Sequence, residues 1–169
     1  MRRGQLSSSI LCGVVSLVLG LIVVAPAFAQ TDPLIGTWKF NAAKSKFDPG
    51  PPYKSQTITY AAIANGLKVA VTGVDGNGKP MSYGYTAYFD GKDYPEPGTG
   101  QPNGMDAISL KRIDANTTEY VGKKAGKVVQ TTRRVVSKDG RTLTITAVGT
   151  DAKGQKTTTI TVYDKQSTT

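Results

Sequence analysis

A chain of 169 residues with a formal charge of +9, one cysteine and no histidine excludes several classes of function at once. Zinc sites built from Cys and His are ruled out, and so is every catalytic arrangement that depends on a histidine base. The basic balance alone does not name a nucleic-acid partner: the lysines are spread over nearly every turn, whereas nucleic-acid modules gather charge on one face beside stacking aromatics.

Met1-Arg2-Arg3 opens the chain as a positive n-region. An apolar run from Ile10 to Val24 follows, and Ala27-Phe28-Ala29 supplies a small-x-small cleavage site. That order predicts a secretory signal peptide over residues 1–29, cut between Ala29 and Gln30. The apolar run falls short of the roughly 20 residues a spanning helix needs, so no membrane span is expected after cleavage. The predicted address is the periplasm or the exterior. Cys12 leaves with the signal, so residues 30–169 are expected to fold as one domain without a disulfide.

The remainder reads as strands. Ile35–Phe40 is the first, followed by a proline-rich connection to Tyr53 in which Asn41–Lys44 could form one helical turn. Ser55–Ile63 and Leu67–Val74 are predicted to hairpin at Asn65-Gly66, since glycine reaches positive φ without strain. Asp75-Gly76-Asn77-Gly78 makes the next turn. It opens like a calcium loop but places Lys79 and Pro80 where a ligand and a turn glycine belong, so a hairpin turn is expected.

Pro80–Phe89 is the fourth strand, with Met81, Tyr83, Tyr85, Ala87 and Phe89 on one face by the period of two. A short Lys92–Tyr94 precedes a long break from Pro95 to Gly104. Asp93 and Glu96 are two nearby carboxylates in this region, but nothing in the sequence supplies them with a pocket or a perturbing neighbour. Strands follow at Asp106–Ile113 and Thr118–Lys123. Lys127–Asp164 then holds three more, cut at Ser137–Gly140 and Asp151–Gly154. Nine or ten short strands with frequent turns predict an all-β, up-and-down antiparallel meander closing into a small barrel.

Leu34-Ile35-Gly36-Thr37-Trp38-Lys39-Phe40 is similar to the opening G-x-W strand of the calycins, the lipocalins and fatty-acid-binding proteins. Thr161-Val162-Tyr163-Asp164-Lys165 is similar to the R-x-Y-E-K close of the fatty-acid-binding proteins. The chain also resembles small secreted bacterial lipocalin-like proteins. The resemblance implies a closed meander of eight to ten strands around a small-molecule cavity. Tyr163 matches a tyrosine that, with an arginine, grips a carboxylate in the fatty-acid-binding proteins; Thr161 stands where that arginine would be. Their two-helix lid has no counterpart here, and lipocalin disulfides are absent. In lipocalins a late-strand arginine covers the G-x-W tryptophan, which implies Arg133 or Arg134 over Trp38.

Read from the residues, Trp38 suits core packing. Tyr60, Tyr83 and Tyr85 either line a polar-rimmed cavity or make ordinary cross-strand pairs. Arg112, Arg133 and Arg134 sit in late strands. An inward arginine would mark an anion site or an internal salt bridge, and an outward one a solvated face. On the last strand, Thr157, Thr159, Thr161 and Tyr163 share one face and Ile160 and Val162 the other. Hydrophobicity favours Ile160 and Val162 inward, and the resemblance favours Tyr163.

The resulting expectation is an exported soluble β-barrel that binds a small, mostly apolar or amphiphilic ligand in its interior. No cofactor, metal, enzymatic activity or nucleic-acid partner is expected. Its expected ligand contacts are Trp38, Tyr60, Tyr83, Tyr85, Arg133, Arg134 and Tyr163. The alternative is a structural or interaction domain with a packed barrel, whose loops at 48–52 and 95–104 meet an unspecified protein.

Overall fold

The computed structural model describes residues 32–151 and 153–167. The expected signal peptide and its cleavage site at Ala29 and Gln30 lie outside the described residues.

Among the described residues, eleven strands form one antiparallel sheet. They are β1 (Gly36–Asp48), β2 (Ser55–Ile63), β3 (Gly66–Val74), β4 (Pro80–Tyr88), β5 (Asp93–Pro95), β6 (Gly98–Thr99), β7 (Ala107–Arg112), β8 (Thr117–Lys124), β9 (Lys127–Val136), β10 (Thr142–Thr150) and β11 (Lys156–Lys165). The ladder runs β5-β7-β8-β9-β10-β11-β1-β2-β3-β4-β6, which sets the first strand beside the last. Its two ends, β5 and β6, are separated in the chain only by Glu96 and Pro97. This one segment pairs with β7 on one side and with β4 on the other, and so bridges the seam of the barrel. Among the described residues no helix is long and apolar enough to cross a membrane.

Alternation along the strands supplies the inside and the outside. On β3, Leu67, Val69 and Val71 are buried while Lys68, Ala70 and Thr72 are exposed. On β9, Gln130, Thr132, Arg134 and Val136 are buried while Thr131, Arg133 and Val135 are exposed.

Two local expectations are corrected. The first strand does not stop at Phe40. It runs to Asp48 through a wide bulge, where pairing with β11 jumps from Asn41–Val162 to Lys46–Ile160. Ser45 Oγ closes the bulge, donating to Asn41 O at 2.7 Å and accepting from Val162 N at 2.9 Å. The expected helical turn at Asn41–Lys44 is therefore an excursion within a strand, held because β11 continues to template the chain beyond it. The β2–β3 turn also shifts by one residue: Gly66 already pairs with Ile63. A Cβ on Gly66 would stand 2.2 Å from Ala87 O, so glycine is needed there for close approach of strands and not for a central turn position. The two-residue hairpin turn with both φ values positive is instead Ala125-Gly126, at 48° and 75°.

One end of the barrel is filled. Leu34, Trp38, Leu67, Ala87, Leu110, Val136 and Leu143 are buried near the β2–β3, β7–β8 and β9–β10 turns. Trp38 donates its indole N–H to Leu34 O at 2.8 Å. Arg112 pairs with Asp32 and lies 4.3 Å from the Phe89 ring centroid, tying the start of the described chain to this end.

Candidate functional site

Towards the other end the interior opens into a cavity of about 370 Å³. This is within the range of small-molecule sites. Its mouth is framed by Pro49–Pro51, the Asp75–Asn77 turn and Pro102-Asn103. Its walls carry many polar side chains. Thr157, Thr159, Thr161 and Tyr163 of β11 all face it, which places Ile160 and Val162 on the opposite face. Hydrophobicity alone favours the wrong parity on this strand, because the ladder with β1 and β10 fixes the register of β11.

Arg134 is the central feature. It is 1 % exposed, and its guanidinium carbon lies 4.7 Å from the Tyr120 ring centroid and 5.4 Å from that of Tyr60. Stacking on π faces holds the cation in place. Its Nε and Nη2 are buried and have no hydrogen-bond partner among the described residues. These two nitrogens form the side-on edge of the guanidinium, whose parallel N–H groups match the two oxygens of a carboxylate. The neighbouring Arg133 turns outward and pairs with Glu119 at 2.9 Å.

A polar relay surrounds this centre. Gln130 Nε2 donates to Thr132 Oγ1 at 2.9 Å and to Tyr120 Oη at 3.3 Å, and Gln130 Oε1 accepts from Asn103 Nδ2 at 3.1 Å. Tyr163 Oη donates to Gln56 Oε1 within the interior. Burial raises the phenols of Tyr60, Tyr83, Tyr85, Tyr120 and Tyr163, so all five remain neutral at physiological pH.

Glu96 completes the constellation. It sits in the seam segment, 3 % exposed, and lines the same cavity as Arg134. Its N–H donates to Asp106 O at 2.9 Å and its C=O accepts from Gln101 Nε2 at 2.9 Å. Both backbone groups are thus engaged, and the carboxyl is left for the interior. Its Oε2 has no hydrogen-bond partner among the described residues. Burial pushes the carboxyl up to about 7, against the opposing pull of Arg134.

Of the residues expected at the site, the fold brings Tyr60, Tyr83, Tyr85, Arg134 and Tyr163 together around one cavity. Trp38 is core packing at the filled end, outside the lining, and Arg133 is on the outer face. The expected arginine over Trp38 is not found. The cation above that ring is Lys165, with Nζ 5.0 Å from the centroid. Arg134 lies instead over Tyr60 and Tyr120. Sequence reasoning missed Glu96, Tyr120, Gln56 and Gln130. Alternation could have found Gln130, which stands four residues before Arg134 on the same face. Glu96 carried no such signal, and the expectation that it lacks a pocket and a perturbing neighbour is overturned. Its direction depends on how β5 and β6 pair across the seam.

No protein-family model matches the sequence, and no curated protein matches it. Among solved structures the chain is similar to zebrafish ileal bile acid-binding protein in complex with cholic acid. The identity is 8 %, the TM-score 0.45, and the match covers 79 % of this chain and 99 % of that one.

Proposed function

We propose that this protein binds a small amphiphile inside the barrel, with an anionic head on the Arg134 edge and an apolar or aromatic body against the tyrosine walls. The observation that carries this is the buried guanidinium whose Nε and Nη2 lack partners among the described residues inside a cavity. Buried guanidinium N–H groups without partners are costly, and a ligand oxyanion would satisfy them. The tyrosines supply ring surface for the body and hydroxyls for orientation. The role is carriage or sequestration, with no chemical step. The same reading places the protein outside the cytoplasm, supported by the signal-peptide pattern of residues 1–29.

The test is a thermal-shift and native mass spectrometry panel of aliphatic and aromatic carboxylates against their methyl esters. The acids are expected to bind and the esters to bind at least about tenfold more weakly, the usual scale for losing one charge-assisted contact. Equal binding of acid and ester, or none by either, would overturn the reading.

A further inference from the structure

Glu96 and Arg134 line one cavity and yet form no ion pair, and both keep unpartnered buried atoms. The titratable groups that share the cavity wall with Glu96 come from three strands: Arg134 from β9, Tyr83 and Tyr85 from β4, and Tyr120 from β8. Asp75 belongs to the same cavity at its mouth. The other nearby acids are engaged elsewhere: Asp93 pairs with Lys123 at 2.7 Å, and Asp106 Oδ2 accepts from Ala125 N at 2.8 Å. Arg134 and Glu96 therefore set the charge balance of the inner cavity.

We propose that the cavity takes up its anion together with one proton, and that Glu96 carries the proton. This rests on the reading of Arg134 as the head-group anchor. With Glu96 as the neutral acid, the inner cavity holds a single positive charge, and a monoanion brings it to neutrality. With Glu96 ionised, Arg134 already has its counter-charge, and an incoming anion adds an uncompensated negative charge in a water-poor space. Charges interact there several times more strongly than in bulk water, so the second case disfavours binding. The balance is simple: carboxylate, proton from solvent and free anion become carboxylic acid and bound anion, with no other bond made or broken. Burial places the Glu96 carboxyl near neutrality, and the bound anion moves it higher. The chain has no histidine, the usual residue for titration in this range.

The test uses 8-anilinonaphthalene-1-sulfonate, whose sulfonate stays ionised throughout, and N-phenyl-1-naphthylamine, the same body without the charge. Fluorescence titrations span about pH 5.5 to 8.5, a range that brackets the Glu96 carboxyl. The sulfonate is expected to lose at least about tenfold in affinity across that range while the neutral amine changes less than about twofold. Glu96→Gln is expected to remove the pH dependence and retain the low-pH affinity. Calorimetry of the unaltered protein in two buffers of different ionisation enthalpy should show net proton uptake near pH 7.5. A flat sulfonate profile, a slope that survives Glu96→Gln, or no proton uptake would overturn the proposal. If Arg134→Met binds the sulfonate as well as the unaltered protein does, or if the sulfonate binds at no pH, the head-group reading itself fails. If Arg134→Met loses the sulfonate while the slope survives Glu96→Gln, only the proton coupling fails.

Discussion

Arg134 stacks on Tyr120, with 4.7 Å between guanidinium carbon and ring centroid, and this contact spans the β8–β9 pair from within the barrel. The Thr118–Arg134 and Tyr120–Thr132 register pairs place the two side chains diagonally on one face. The ring covers one face of the cation and leaves its edge free. Replacing Tyr120 with Leu keeps the bulk but removes the π face and the hydroxyl that accepts from Gln130. Affinity for an anionic ligand should fall roughly three- to tenfold, the worth of a partly desolvated cation–π contact. Equal affinity in Tyr120→Leu, measured by titration calorimetry, would show that the stacking does not hold the guanidinium for its ligand.

Arg133 and Arg134 are adjacent in the chain and should behave oppositely. Arg133→Ala breaks an exposed pair with Glu119, which is expected to cost less than about 1 kcal/mol and to leave ligand affinity unchanged. Arg134→Met removes a buried cation whose Nε and Nη2 have no hydrogen-bond partner among the described residues. Near pH 6, where Glu96 is mostly protonated, the ligand-free variant should be as stable as the parent or more stable by about 1–3 kcal/mol. Urea denaturation of both variants checks this, and marked destabilisation by Arg134→Met would mean that the arginine is a structural member of the core.

Glu96 should make stability depend on pH with an unusual sign. The folded state keeps this proton up to about pH 7, while the unfolded chain releases it near 4.5. Between those values the folded state binds more protons, so the Glu96 contribution falls as pH rises and levels off above the folded value. The shift corresponds to about 3 kcal/mol. Glu96→Gln should therefore gain on the parent by about that amount between pH 4.5 and pH 8. The comparison is a pair of urea curves at each pH, and a difference that does not change with pH would contradict the buried placement of the carboxyl.

Trp38 is the chain's single tryptophan, and it is fully buried outside the cavity lining. Its emission should be blue-shifted in the folded protein and almost unchanged by ligand. Trp38→Ala should cost about 3–5 kcal/mol through the void it leaves. A large change in tryptophan emission on binding would place a ligand at the filled end instead.

Much of this architecture is legible in the strand pattern. The turns from Gly76 onward and the tyrosine face of β4 follow from period-two alternation and turn chemistry, and the pairing of the Trp38 strand with the last strand is what the resemblance at the two chain ends implies. Three features do not. The extension of β1 through its bulge depends on β11 continuing to pair, which is tertiary. The inward face of β11 contradicts hydrophobicity because the interior is a polar cavity, so Thr161 and Tyr163 win over Ile160. Glu96 lies in a glycine- and proline-rich stretch without periodicity, and only seam closure by β5 and β6 turns it inward. The candidate site was thus half visible: its arginine and four of its five tyrosines were expected, Tyr120 was missed although it lies in β8, and its acid lies outside any regular strand.

The most direct measurement is the ¹⁵N–¹H resonance of Arg134 Nε during titration with decanoate, assigned by its loss in Arg134→Lys. Formation of a side-on pair with the carboxylate should move this resonance downfield and slow its exchange with solvent, in proportion to occupancy and to the binding isotherm. A resonance that stays in place while decanoate saturates the protein would mean that the head group lies elsewhere, and would contradict the assignment of Arg134 as its anchor.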